Sequence, residues 1–184
     1  MWCSTRWRVE PARLLALAWL LSAAQALAHP QLPGSRLQGE ATLRYFGLRV
    51  YHARLWTLPE FRDSQASEQP LVLELEYLRD LKGKAIAERS LQEMRRAGEI
   101  PQAQAQRWLT EMQQIFPDVK AGDRISGQLL PGQGVRFWHN GRLAGQMDDA
   151  LFARRFFGIW LASTTSEPDM RLALLGQADA GPVR

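Results

Sequence analysis

Two periods divide the chain. From Gln38 to Thr57 the sequence Q-G-E-A-T-L-R-Y-F-G-L-R-V-Y-H-A-R-L-W-T takes apolar and polar residues in turn, the period of a strand with one dry face. Leu43 and Tyr45 fall on one side, Thr42 and Arg44 on the other. Past Gly47 the apolar set moves from Leu48 and Val50 to Tyr51, Ala53 and Leu55. A change of parity predicts a bulge or a strong twist. The segment therefore reads as two strands, or one long bent strand, interrupted near Phe46-Gly47. In L-V-L-E-L-E-Y, residues 71–77, Leu71, Leu73, Leu75 and Tyr77 share a face and leave Glu74 and Glu76 on a wet one.

The period then lengthens. Lys82 to Ala97 reads as a helix with Ile86, Leu91 and Met94 on its apolar side and Gly98 as its stop. Pro101 opens a second, whose stripe of Ala105, Trp108, Leu109, Met112, Ile115 and Phe116 keeps helical spacing up to Pro117. Three short strands follow, 123–130, 135–139 and 142–147, the last two joined by Asn140-Gly141. Both residues of that pair tolerate the positive φ of a type I′ turn. Asp148 or Asp149 is placed to cap the next helix, F-A-R-R-F-F-G-I-W-L. Ser166-Glu167-Pro168-Asp169 resembles a capping box for a last helix ended by Gly176. Strands and helices cluster without βαβ alternation, which predicts an α+β fold: an antiparallel sheet covered on one face by helices.

The helix F-A-R-R-F-F-G-I-W-L is apolar around nearly its whole circumference. Such a helix is buried in protein or lipid, and this one is too short to span a bilayer. It is expected to pack Phe156 and Trp160, one turn apart, against the sheet, with Arg154 and Arg155 reaching solvent.

The first residues alter the picture of where this domain works. Arg6, Arg8 and Arg13 precede an apolar run from Leu14 that ends in Ala26-Leu27-Ala28. A basic start, a short apolar centre and an A-x-A site describe a secretory signal peptide over residues 1–28, with one domain over 29–184 in the periplasm or secreted. No stable membrane insertion is expected after cleavage. The only cysteine, Cys3, would leave with the signal, so the domain would have no disulfide to support it. Cleavage removes three of the 23 basic and one of the 19 acidic side chains, taking the formal charge from +4 to +2. The arginines are scattered, without the basic face that nucleic-acid binding needs.

Several stretches together resemble a known family. They are G-L-R-V-Y-H-A-R-L-W (47–56), L-E-L-E-Y-L-R-D (73–80), A-G-D-R-I (121–125), the run 140–161 and M-R-L-A-L-L-G (170–176), in this order. They look like the bacterial chalcone isomerase-like proteins over nearly all of the chain after the signal. The resemblance implies an open-faced β-sandwich with a cleft between sheet and helices. It implies one of two activities. Plant chalcone isomerases close a flavanone ring with a strand arginine and threonine, a helical tyrosine, and an asparagine seven residues after it. Other members lack that set and resemble fatty-acid binders.

This chain departs from the catalytic set. The strand threonine would fall near Phe46, and Pro101 to Phe116 has neither tyrosine nor asparagine; the single asparagine is Asn140. Oxyanion stabilisation needs donors placed where charge develops, so the isomerase stands as the alternative. The leading expectation is a non-catalytic binder of a small apolar or carboxylate-bearing ligand such as a fatty acid. A structural or interaction module with a filled cleft is a third reading. The residues expected at a ligand are Arg44, Tyr51, Tyr77, Phe156 and Trp160, with Arg36 and Tyr45 in the same strand region. An arginine at the end of an apolar pocket suits a carboxylate because its fork can pair bidentately.

No cofactor or metal is expected. His29 would become the N-terminal residue, a position that can bind copper beside a second histidine, but neither His52 nor His139 stands in ligand spacing. The plainer reading leaves His29 in a mobile tail, and Glu74 and Glu76 simply solvated.

Overall fold

The computed structural model describes residues 28–177. The signal peptide read over residues 1–28 lies outside them except for Ala28. Six strands, β1 (Arg36–Tyr45), β2 (Leu48–Thr57), β3 (Leu71–Tyr77), β4 (Arg124–Leu130), β5 (Gly134–His139) and β6 (Arg142–Met147), form one sheet in chain order. Every neighbouring pair is antiparallel. Four α-helices, α1 (Gly83–Met94), α2 (Gln102–Ile115), α3 (Ala150–Leu161) and α4 (Pro168–Leu174), and two short 3-10 helices, Asp63–Glu68 and Arg95–Ala97, complete the fold of the described residues. This is the expected α+β architecture.

The sequence pattern accounts for the register. Phe46 and Asn140 have positive φ and are each followed by a positive-φ glycine, so the two hairpins turn in two residues. The parity change in β2 is a real irregularity: pairing jumps from Leu43↔Tyr51 to Arg44↔Arg49 and leaves Val50 over. Leu55, Leu71, Leu73, Leu129, Val135 and Phe137 then share the dry face, each at most 3% exposed. Burial of each large side chain contributes about 1.5–3 kcal/mol.

Helix α3 sits in this core as its composition requires. Phe152, Phe156, Phe157 and Trp160 are buried, and Phe156 meets Phe137 of β5 at 5.1 Å between centroids and Trp160 at 5.4 Å. Arg154 is exposed, while Arg155 is half-buried and donates to the Gly98 carbonyl. Asp149 is the cap. Its Oδ1 accepts from the backbone N–H of Leu151 and Phe152, and its Oδ2 accepts from the Trp108 indole at 2.9 Å. One carboxylate thus ties the start of α3 to α2. The capping box read at Ser166 does not form. Glu167 occupies the N-cap of α4 without a side-chain bond, and Ser166 Oγ donates instead to Glu93.

The outer face of the sheet departs from the expectation of a solvated surface. The segment 29–35 lies across it: His29 is 4% exposed and Leu32 7%. The His29 ring stands 5.6 Å from that of Trp56, and Gln128 donates to the Gln31 carbonyl. His29 is therefore no mobile tail, and its ring neighbour is a carboxylate, Glu74, at 3.5 Å. Glu74 and Glu76 are half-buried in an ion-pair network that joins Arg54 to both and Arg124 to Glu76. Strand alternation put these carboxylates on the outer face; only the covering segment and the cross-strand arginines decide that the face is not simply wet.

Candidate functional site

At the end of the sheet where β1, β2 and the last residues of β3 meet, the helices do not fill the space. A cavity of about 330 Å³ remains between these strands and helices α1 and α3. Leu43, Tyr51, Leu75, Tyr77 and Ile125 form its sheet side; Phe156, Ile159 and Trp160 of α3 and Ile86 of α1 face them. The irregularity in β2 shapes it, because Val50 and Tyr51, consecutive in sequence, both line the space. In a regular strand one of the two would point away.

Two phenols supply polarity inside. Trp160 Nε1 donates to the Tyr51 hydroxyl oxygen at 2.9 Å, so the Tyr51 O–H hydrogen is free for another acceptor. Tyr77 is 2% exposed, its ring 6.1 Å from that of Tyr51, and it makes no side-chain hydrogen bond among the described residues. Burial raises the pKa of both phenols well above the usual range; for Tyr51 the bond from Trp160 only partly offsets it. Both stay protonated and present donors.

The rim is charged. Arg89 of α1 lies over the Tyr45 ring at 5.8 Å, and its Nη2 is 2.7 Å from Glu93 Oε1. Glu93 also accepts from Ser166 Oγ at 2.9 Å, which links α1 to the α3–α4 connection. Arg79 and Glu167 complete the mouth. An apolar space with two phenol donors and cations at its rim suits an amphipathic molecule with an acceptor head.

A family model described as chalcone isomerase-like matches residues 30–176. The chain belongs to the chalcone isomerase-like family. An uncharacterized protein of Haemophilus influenzae is 31% identical over 139 residues, which cover 76% of this chain and 67% of that one. Among solved structures, a fatty-acid binding protein of Arabidopsis thaliana superposes with a TM-score of 0.60, covering 84% of this chain and 97% of that one. At 13% identity this likeness speaks for the fold alone.

Against the chalcone isomerase-like frame, the expected residues divide. Tyr51, Tyr77, Phe156 and Trp160 come together around the cavity, and Tyr45 stands at its edge. Arg44 does not. It is exposed and follows Leu43, a cavity residue, so strand alternation turns it to the outer face. Arg36 is also exposed and donates to the Pro59 carbonyl. The cations at the mouth are Arg79 and Arg89, neither anticipated. A signal existed for the second: Ile86, Arg89, Ser90 and Glu93 fall at helical spacing on one face of α1. Ile86 belongs also to the apolar stripe of that helix, whose other members, Leu91 and Met94, are buried in the core.

Among the described residues, neither Phe46 nor Asn140 stands at the cavity. Phe46, where the strand threonine would fall, is 89% exposed at a turn. Asn140 is held in the β5–β6 turn, accepting from the Arg124 backbone N–H and donating to Asp123.

Proposed function

We propose that the protein is a non-catalytic carrier or sensor of a small amphipathic ligand with an acidic head, such as a fatty acid, and that it works in the periplasm or outside the cell. One observation carries the reading: an apolar cavity whose wall holds two phenols, Tyr51 half-buried with its O–H hydrogen free and Tyr77 with no side-chain partner among the described residues. A ligand oxygen between the two hydroxyls would accept from both, and the acyl chain would lie among Leu75, Ile125, Phe156 and Trp160. The volume lies within the ~300–1,000 Å³ of small-molecule pockets. The fatty-acid binding neighbour shares the fold, which supports the reading without assigning the ligand. Export is proposed from the A-x-A signal at residues 26–28.

Two measurements test this. Native mass spectrometry of gently purified protein should show a co-purifying lipid and a mature mass that begins at His29. Incubation with a chalcone should give ring closure at the spontaneous rate; closure above it, lost when Tyr51 or Tyr77 is changed to Phe, would make the protein an isomerase instead.

A further inference from the structure

The turn between β1 and β2 carries apolar surface that folding does not explain. Tyr45, Phe46 and Leu48 fall within four positions and are 53%, 89% and 56% exposed. Phe46 has φ +48°, a region that bulky residues enter only against steric resistance. The other two-residue hairpin fills the same place with Asn140, which tolerates that conformation. Stability alone would favour asparagine or glycine over phenylalanine here.

The position of the turn suggests what the phenylalanine is for. The Phe46 and Tyr45 rings meet edge to face at 4.5 Å, and Tyr45 lines the cavity with Leu43 and Val50. An apolar path therefore runs from the exposed tip to the cavity mouth. The charges beside it are basic. Arg44 and Arg49 are paired across the base of the turn, and no carboxylate lies between Glu40 and Glu60. Arg79 follows the end of β3, which pairs there with β2 through Leu78 N–H and the Val50 carbonyl. None of Arg44, Arg49 and Arg79 makes an ion pair among the described residues. The acidic groups nearby are Glu93, paired with Arg89 and Arg96, Asp80, which accepts from the Ala121 backbone N–H, and Glu167 on the rim.

Exposed aromatic and aliphatic side chains flanked by arginines suit the boundary of an anionic bilayer, where rings enter the headgroup layer and guanidinium groups meet phosphate. We propose that the Tyr45–Leu48 turn docks on an anionic phospholipid surface with the cavity mouth facing it, so that an acyl ligand passes between bilayer and cavity without crossing water. A second copy on the same patch would oppose arginine to arginine, which favours lipid as the occupant. The inference rests on the amphipathic-ligand reading above.

Co-sedimentation of purified protein with vesicles of phosphatidylglycerol and phosphatidylethanolamine, against vesicles of phosphatidylcholine, tests it. The unaltered protein should bind the anionic vesicles and lose binding at high salt. Phe46→Asn, which suits the turn and should not lower thermal stability, should reduce binding about tenfold, and Arg44→Glu with Arg49→Glu should do the same. No binding by the unaltered protein, equal binding to both vesicle types, or unchanged binding by Phe46→Asn would overturn the proposal. So would a concentration-dependent dimer that Phe46→Asn abolishes, which would assign the tip to a protein contact. A fluorescent fatty acid added from solution separates the two readings. If both proteins bind it while the vesicles are ignored, docking fails and the ligand reading stands. If vesicles bind but the probe does not, the ligand reading fails by itself.

Discussion

The indole N–H of Trp160 and the hydroxyl oxygen of Tyr51 meet at 2.9 Å, joining α3 to β2 across 109 positions of sequence. The bond ties one wall of the cavity to the other and leaves the Tyr51 O–H hydrogen free to donate. Tyr51→Phe should leave the fold intact and cost about 1–3 kcal/mol, because the part-buried indole loses its acceptor. Affinity for a fatty acid should fall more than affinity for its methyl ester. Urea denaturation and paired titrations would check this, and an equal fall for both ligands would remove Tyr51 from head-group recognition.

Trp160→Ala examines the aromatic wall. Trp160 is 6% exposed and packs on Phe156, so truncation should cost about 3–5 kcal/mol if the site cannot collapse. Because one side of the indole borders the cavity, a loss at or below the lower end of that range is expected, together with loss of acyl binding. Thermal denaturation with and without ligand would distinguish a core residue from a pocket wall.

How far the sequence led depends on the periodicity of each element. Period-two alternation marked the strands, and its change of parity past Gly47 signalled a bulge or twist, which the structure resolves as Val50, unpaired with β1. The all-apolar circumference of α3 placed it in the core. Four cavity residues followed because they stand on β2, β3 and α3. Arg89 and Arg79 did not, since which cation reaches a cavity depends on how helix and sheet are set against each other, a relation no local pattern records. The burial of His29 and Glu74 was hidden for the same reason: the segment 29–35 has no period, and its place is decided by Trp56, Leu32 and Gln128.

The outer-face network predicts an acid-sensitive fold. The hydrogen bond with His29 holds the Glu74 carboxyl below its ordinary pKa, and the bond from Arg54 does the same for Glu76. A carboxyl with a lowered folded pKa contributes stability that is complete above its unfolded value and is lost as pH falls through the folded one. Urea midpoints should therefore hold from pH 7 to about 5 and drop below about 4.5. Glu74→Gln should be less stable at pH 7 and show a shallower fall. A parallel fall in both proteins would place the acid sensitivity elsewhere.

Asp149 carries the junction of α2 and α3. Burial acts to raise its pKa, but the bonds from Phe152, Trp108 and Leu151 outweigh this and leave the carboxyl below its usual range. Asp149→Ala removes a helix cap, about 0.5–2 kcal/mol, and strands the Trp108 indole, about 1–3 kcal/mol more. Asp149→Asn should recover part of the loss, since its amide oxygen can still accept. Denaturant melts of the two variants would check the order.

The central claim is that the space between Tyr51, Tyr77 and α3 holds an amphipathic ligand. The most direct measurement titrates a fluorescent fatty acid into purified protein and into Ile86→Trp, in which a larger side chain on α1 fills the cavity. The account predicts saturable binding at one site near the micromolar range, about −8 kcal/mol, abolished in Ile86→Trp while that variant melts as a folded protein. Absence of saturable binding by the unaltered protein, or equal binding by the filled variant, would contradict it.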